Sequence, residues 1–165
     1  MAHTDGVDRL TEQWRHERPD LDTTAMAVFG RIYRLARISG DEVEQAYAEF
    51  GIGRAEFDVI ATLRRAGEPY ELSPGALAAS MMLSTGGTTA RLDRLEKAGL
   101  TERRPSPTDR RGVLVRLTPQ GRDIADGAVG AGLARQQHLL AHLSPATQRR
   151  LADLLREALE PHEDR

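Results

Sequence analysis

Residues 73–117, SPGALAASMMLSTGGTTARLDRLEKAGLTERRPSPTDRRGVLVRL, decide how this chain folds. Ser73-Pro74 is a helix N-cap followed by proline at the first helical position, where the missing N–H costs nothing. Leu77 and Met81 are spaced to bury one face of the short helix behind it. Ser84 reads as the cap of a second helix, with apolar positions at Ala90, Leu92 and Leu95 and an end at Gly99. Residues 100–104 and 113–117 are two short extended runs, the second rich in β-branched and aliphatic side chains. The PSPTDRRG between them is dense in turn formers, so the pair predicts a β-hairpin with a basic tip.

On the N-terminal side, residues 5–18 predict a short helix, with Leu10 and Trp14 four apart on one face and Pro19 closing it. A longer helix is expected from about Asp22 to Glu49, broken or kinked near Gly40 and capped by Asp22 or Thr23. Met26, Phe29, Ile32, Tyr33 and Leu35 recur along it at helical spacing. After Gly51–Gly53, Phe57, Ile60 and Leu63 mark a third helix that Gly67 ends. On the C-terminal side, Thr118-Pro119 opens a long helix running to about His142. Ser144-Pro145 opens a last one, with Leu151, Leu154, Leu155 and Leu159 on one stripe. The fold class is therefore mainly α with a small β-wing. Three segments follow: helices over 1–50, a winged helix-turn-helix lobe over 51–118 and C-terminal helices over 119–165, all in one structural unit.

The 165-residue length suits one domain, and 39% hydrophobic with 29% charged residues describe a globular chain. No apolar run approaches the roughly 20 residues needed to cross a bilayer. MAHTDGVDRL carries no basic start followed by an apolar stretch, so a cytoplasmic location is expected. With no cysteine, disulfides and thiolate metal sites are excluded. The 23 Lys+Arg against 25 Asp+Glu conceal an asymmetry. Residues 1–50 carry 6 basic and 10 acidic side chains, net −4, whereas residues 84–116 carry 8 basic and 4 acidic, net +4. A local basic stretch in a mildly acidic chain suits a phosphate backbone, and equally a solvated hairpin.

In a helix-turn-helix, the second helix puts its N-terminal residues into the major groove. Here those are Ser84, Thr85, Gly86, Gly87, Thr88 and Thr89: hydroxyls for phosphates or base edges at a helix start that favours anions. Two adjacent glycines inside a helix cost about 1 kcal/mol each relative to alanine, which close approach to DNA, or tight packing on the preceding helix, would offset. Arg110 and Arg111 at the hairpin tip are placed for the adjacent minor groove or its phosphates, with Asp109 orienting an arginine through an ion pair. Arg103, Arg104 and Arg116 read either as further phosphate contacts or as exposed strand charges.

The segment from Glu71 to Arg122 closely resembles the winged helix-turn-helix of MarR-type regulators. The DRRG of Asp109–Gly112, set between RLEKAGL–ERR and V–LT–G, carries the resemblance, which extends over roughly residues 22–160. It implies a homodimer with interlocked N- and C-terminal helices. It further implies binding to a pseudo-palindromic double-stranded operator, repression, and release by a small phenolic or purine-type anion. The extra N-terminal helix resembles that of the urate-responsive branch. There a tryptophan, an aspartate and an arginine form the ligand site; the matching positions are Trp14, Asp58 and Arg91. Each also has a plain reading: Trp14 as a packing anchor, Asp58 as an ion-pair partner, Arg91 as a phosphate contact.

No catalytic constellation competes. The chain has no P-loop, dinucleotide fingerprint or nucleophile elbow, so no enzyme and no cofactor are expected. His138 and His142 sit four apart on an expected helix, but Leu139 stands where a general base would be, so no metal site is expected. The other class left open is a winged-helix protein-interaction module that binds no specific DNA.

Overall fold

The computed structural model describes residues 4–81, 87–107, 109 and 112–163. The chain divides into two compact units, Met1–Glu42 and Val43–Arg165.

In the first unit, α1 (Gly6–Glu17) starts with a capping box. The Asp5 carboxylate accepts from the Val7 and Asp8 N–H groups at 2.7 and 3.0 Å, and the Asp8 carboxylate accepts from the Asp5 N–H at 2.9 Å. Arg31 of the following helix donates to both carboxylates, at 3.0 Å to Asp5 and 2.7 Å to Asp8. Backbone hydrogen bonds first, and Arg31 after them, hold both carboxyls below the usual range. That helix, α2 (Thr24–Ala48), is one continuous element through Gly40. The expected break does not occur, because one glycine costs only about 1 kcal/mol in a helix of 25 residues. Phe29 and Tyr33, 52% and 69% exposed, lie with ring centroids 6.0 Å apart on its surface.

The second unit holds α3 (Arg54–Arg65), β1 (Glu71–Leu72), α4 (Pro74–Ser80), α5 (Thr88–Lys97), β2 (Thr101–Pro105), β3 (Val113–Leu117), α6 (Pro119–Leu140) and α7 (Pro145–Leu159). A 3-10 turn, Glu160–His162, closes it. Ser73, Thr118 and Ser144 each cap the helix that follows, with their hydroxyls accepting from an N–H three residues on. The core joins Val59, Ile60 and Leu63 of α3 to Leu77, Leu95 and Val115, all essentially inaccessible. Tyr47 stacks on Phe57 at 4.0 Å beside it. The sheet is antiparallel in the order β1-β3-β2. The wing hairpin was expected; β1, pairing Glu71 with Arg116 and Leu72 with Val115, was not, since two residues carry no period.

Two further expectations change. Ala90 is exposed, and only Leu92 and Leu95 of α5 are buried. The helix α6 ends at Leu140, so His138 and His142 do not share a helix. On the α7 stripe, Leu151 is half-buried and Leu154, Leu155 and Leu159 are exposed.

Candidate nucleic-acid interface

The recognition segment starts with a backbone choice. Gly87 is the N-cap of α5 at φ +78°, in the left-handed region that glycine occupies without a Cβ clash. The helix therefore begins at Thr88, and the cap falls on Gly87, not on Ser84. Gly87 lies outside the helix and its expected helical penalty does not apply; its left-handed turn is what the glycine supplies. Gly87 itself offers no side-chain cap at the positive end of α5. Thr88 is half-buried, while Gly87 and Thr89 are exposed. Ser84, Thr85 and Gly86 lie outside the described residues.

Leu92 and Leu95 seat one side of α5 in the core, and its charged side chains fasten the rest. Arg94 pairs with Glu56 of α3 at 2.6 Å. Burial pushes the Glu56 carboxyl up, but the Arg94 hydrogen bond and backbone N–H groups outweigh it and leave the group below the usual range. On the wing side, the Arg103 guanidinium pairs with both Asp93 and Glu96, and the Arg103 backbone N–H donates to Glu96 at 3.1 Å. Arg103 is thus a clamp between β2 and α5, with its charge already neutralised twice. Arg104 faces Glu102 at 3.5 Å.

The wing pairs to Pro105–Val113 and is then closed by a knot of short bonds. The Ser106 N–H donates to the Gly112 carbonyl at 2.9 Å, the Gly112 N–H to the Asp109 carbonyl at 2.9 Å, and the Asp109 N–H to the Ser106 hydroxyl at 3.2 Å. A Cβ on Gly112 would stand 3.0 Å from the Cβ atoms of both Asp109 and Ser106. The DRRG pattern is thus a steric requirement: its aspartate and glycine shape the tip. Asp109 is exposed there. Arg110 and Arg111, and with them the ion pair expected of Asp109, lie outside the described residues.

Of the three candidate ligand residues, Asp58 and Arg91 belong to the second unit. Asp58 on α3 is half-buried, and burial pushes its carboxyl up; Arg54, Arg91 and Arg65 pull the other way and offset it only in part. A carboxylate left with a net burial penalty beside arginines is a candidate functional group. Trp14 lies on α1 in the first unit, 43% exposed. Sequence reasoning missed the Arg103 clamp; the acidic residues at 93 and 96, three apart on a helix beside a basic strand, are the signal that could have found it.

A family model described as MarR family matches residues 50–112. The HTH-type transcriptional regulator PecS of Dickeya dadantii is 35% identical over 155 residues, covering 94% of this chain and 93% of its own. Among solved structures, wild-type apo MarR from E. coli is similar with TM-score 0.65 and 30% identity, over 79% of this chain and 96% of its own. A MarR mutant from E. coli complexed with operator DNA is similar with TM-score 0.70 and 28% identity, over 83% of this chain and 97% of its own.

Proposed function

This chain belongs to the MarR family of winged helix-turn-helix transcriptional regulators, and from that premise we propose how it engages its operator and what releases it. It is a sequence-specific DNA-binding regulator. The start of α5, with Ser84 to Thr89, enters the major groove, and Arg110 and Arg111 carry the wing to the neighbouring minor groove or its phosphates. Residues 51–118 act as the DNA-binding lobe.

The observation that carries this assignment is the fastening of α5. Its inner side is buried at Leu92 and Leu95, its outer charges are tied to Glu56 and Arg103, and Gly87 puts no side-chain cap on its N-terminus. A reading helix needs that rigidity, because base contacts are lost when donors drift by about an ångström.

The exposed apolar side chains of α2 and α7 support a homodimer. A two-fold dimer sets the two reading helices about 34–36 Å apart, one DNA turn, and so calls for a pseudo-palindromic site. Repression, a cytoplasmic setting and release by a small phenolic or purine-type anion follow the family. The half-buried Asp58, under the charge of Arg91, is the site we assign to that anion, and Trp14 is the third residue the family resemblance implies. Anchored at Arg91, the ligand would act on the helix that reads DNA and so bind two states unequally.

Fluorescence anisotropy with DNA from immediately upstream of its own gene, at fixed salt and with or without urate or salicylate, tests both parts. Competitor-resistant binding weakened by either compound is the expected result. Binding that follows salt but not sequence would overturn the operator assignment; binding indifferent to both compounds would overturn the effector assignment alone.

A further inference from the structure

We propose that the cleft at the root of the wing is a second small-molecule site, for an amphoteric ligand of the α-amino-acid class with a flat side chain. The cleft has a volume of about 450 Å³ and is walled by Tyr70, Glu68, Glu102, Arg116, Arg122 and the Thr118-Pro119 start of α6. That volume lies within the roughly 300–1,000 Å³ of ordinary ligand pockets. None of these residues is assigned above to DNA or to the effector. Arg116, open in the sequence as a phosphate contact, sits here at the base of the wing rather than at its tip.

The charges in the cleft are unevenly satisfied. Glu102 is already opposite Arg104 at 3.5 Å, and Glu68 accepts from the Tyr70 hydroxyl at 3.5 Å. Arg116 and Arg122 have no ion-pair partner among the described residues, although Glu71 and Glu102 stand opposite Arg116 across the sheet. Two unpaired guanidiniums beside the positive end of a 22-residue helix form a place for one carboxylate. The two glutamates exclude a second negative group and supply acceptors for an ammonium.

The ring of Tyr70 gives the flat wall. Tyr70 holds φ +60°, a left-handed conformation that bulky residues rarely adopt. Its N–H donates to the Gly67 carbonyl at 2.6 Å and its carbonyl accepts from the Leu117 N–H at 3.1 Å, which keeps it there. The guanidinium of Arg122 lies 6.0 Å from the ring centroid and that of Arg64, itself held by Asp126, lies 5.1 Å away. An aromatic side chain on the ligand would stack beside the same cations.

The test is calorimetric titration of the full chain with L-phenylalanine, with 3-phenylpropionate, which lacks the ammonium, and with phenethylamine, which lacks the carboxylate. Saturable binding of phenylalanine, at least ten-fold tighter than of either analogue, is expected. Arg116→Gln and Arg122→Gln should each weaken it at least ten-fold while leaving operator affinity and its salt dependence unchanged. Asp58→Asn should leave phenylalanine binding as it is. No saturable heat with any of the three, equal binding of 3-phenylpropionate, or binding indifferent to both arginine variants would each overturn the proposal. The operator titration is unaffected by any of these outcomes, so the two assignments fail separately.

Discussion

A Cβ placed on Gly121 would lie 1.9 Å from the carbonyl oxygen of Leu100. The same carbonyl accepts the Thr118 N–H at 3.2 Å, and the Thr118 hydroxyl bridges the Gly99 carbonyl at 2.7 Å and the Gly121 N–H at 2.9 Å. The end of α5, the end of the wing and the start of α6 are therefore joined at one point, with backbone against backbone. Because neither atom belongs to a side chain that can swing away, Gly121→Ala should cost about 2–3 kcal/mol. Thermal melting should show a loss of several degrees; an unchanged midpoint would mean that the junction opens freely.

The clamp at Arg103 predicts an unusual mutant. Its charge is already matched by Asp93 and Glu96, so it does not release counterions from DNA. Arg103→Gln should lower operator affinity several-fold by freeing the wing from α5, while the slope of log affinity against log salt stays at the wild-type value. Arg111→Ala should lower that slope by about one. If Arg103→Gln flattens the slope as well, the guanidinium is a phosphate contact.

Glu56 should reveal itself in acid. Its folded carboxyl lies below the ordinary 4.5, so its contribution is present at pH values above 4.5 and is lost as pH falls through the folded value. Glu56→Gln should be less stable than wild type at pH 7, with the two converging once pH has fallen below the folded value. Denaturant titrations across that range would expose a parallel offset, which would place the effect in packing instead.

Asp58 should do the reverse. Its folded carboxyl lies above the ordinary 3.8, so ionising it opposes folding: the cost is absent below 3.8 and complete once pH has passed the folded value. Asp58→Asn should melt higher than wild type at pH 7, lose that advantage in acid, and no longer respond to urate or salicylate. A variant less stable at neutral pH would show that the arginines around Asp58 depend on it.

Much of this was legible in the sequence because it was written in local chemistry. Ser-Pro and Thr-Pro pairs located three helix starts, and the aliphatic run Val113–Leu117 located a strand. What escaped depends on residues distant in sequence. The strand Glu71–Leu72 exists only because β3 offers an edge, and the φ of Gly87 moves the start of α5 past Ser84. The candidate site was legible as residue types: Asp58 and Arg91 were named from their matches, and the charge of Arg91 acts on Asp58. That Arg103 ties β2 to α5 is a matter of partners ten and seven residues away, which composition does not record.

The strand order has a consequence for how the lobe is made. The central strand, β3, is the last of the three in sequence, and each edge strand touches only it. Until Val113–Leu117 has left the ribosome, Glu71–Leu72 and Thr101–Pro105 have nothing to pair with, and pairing Glu71 to Arg116 closes a long loop at once. Assembly of the sheet should thus be all-or-none and among the slower steps of folding, as non-local pairings are. A nascent chain stalled before residue 113 would carry its reading helix with no wing to brace it.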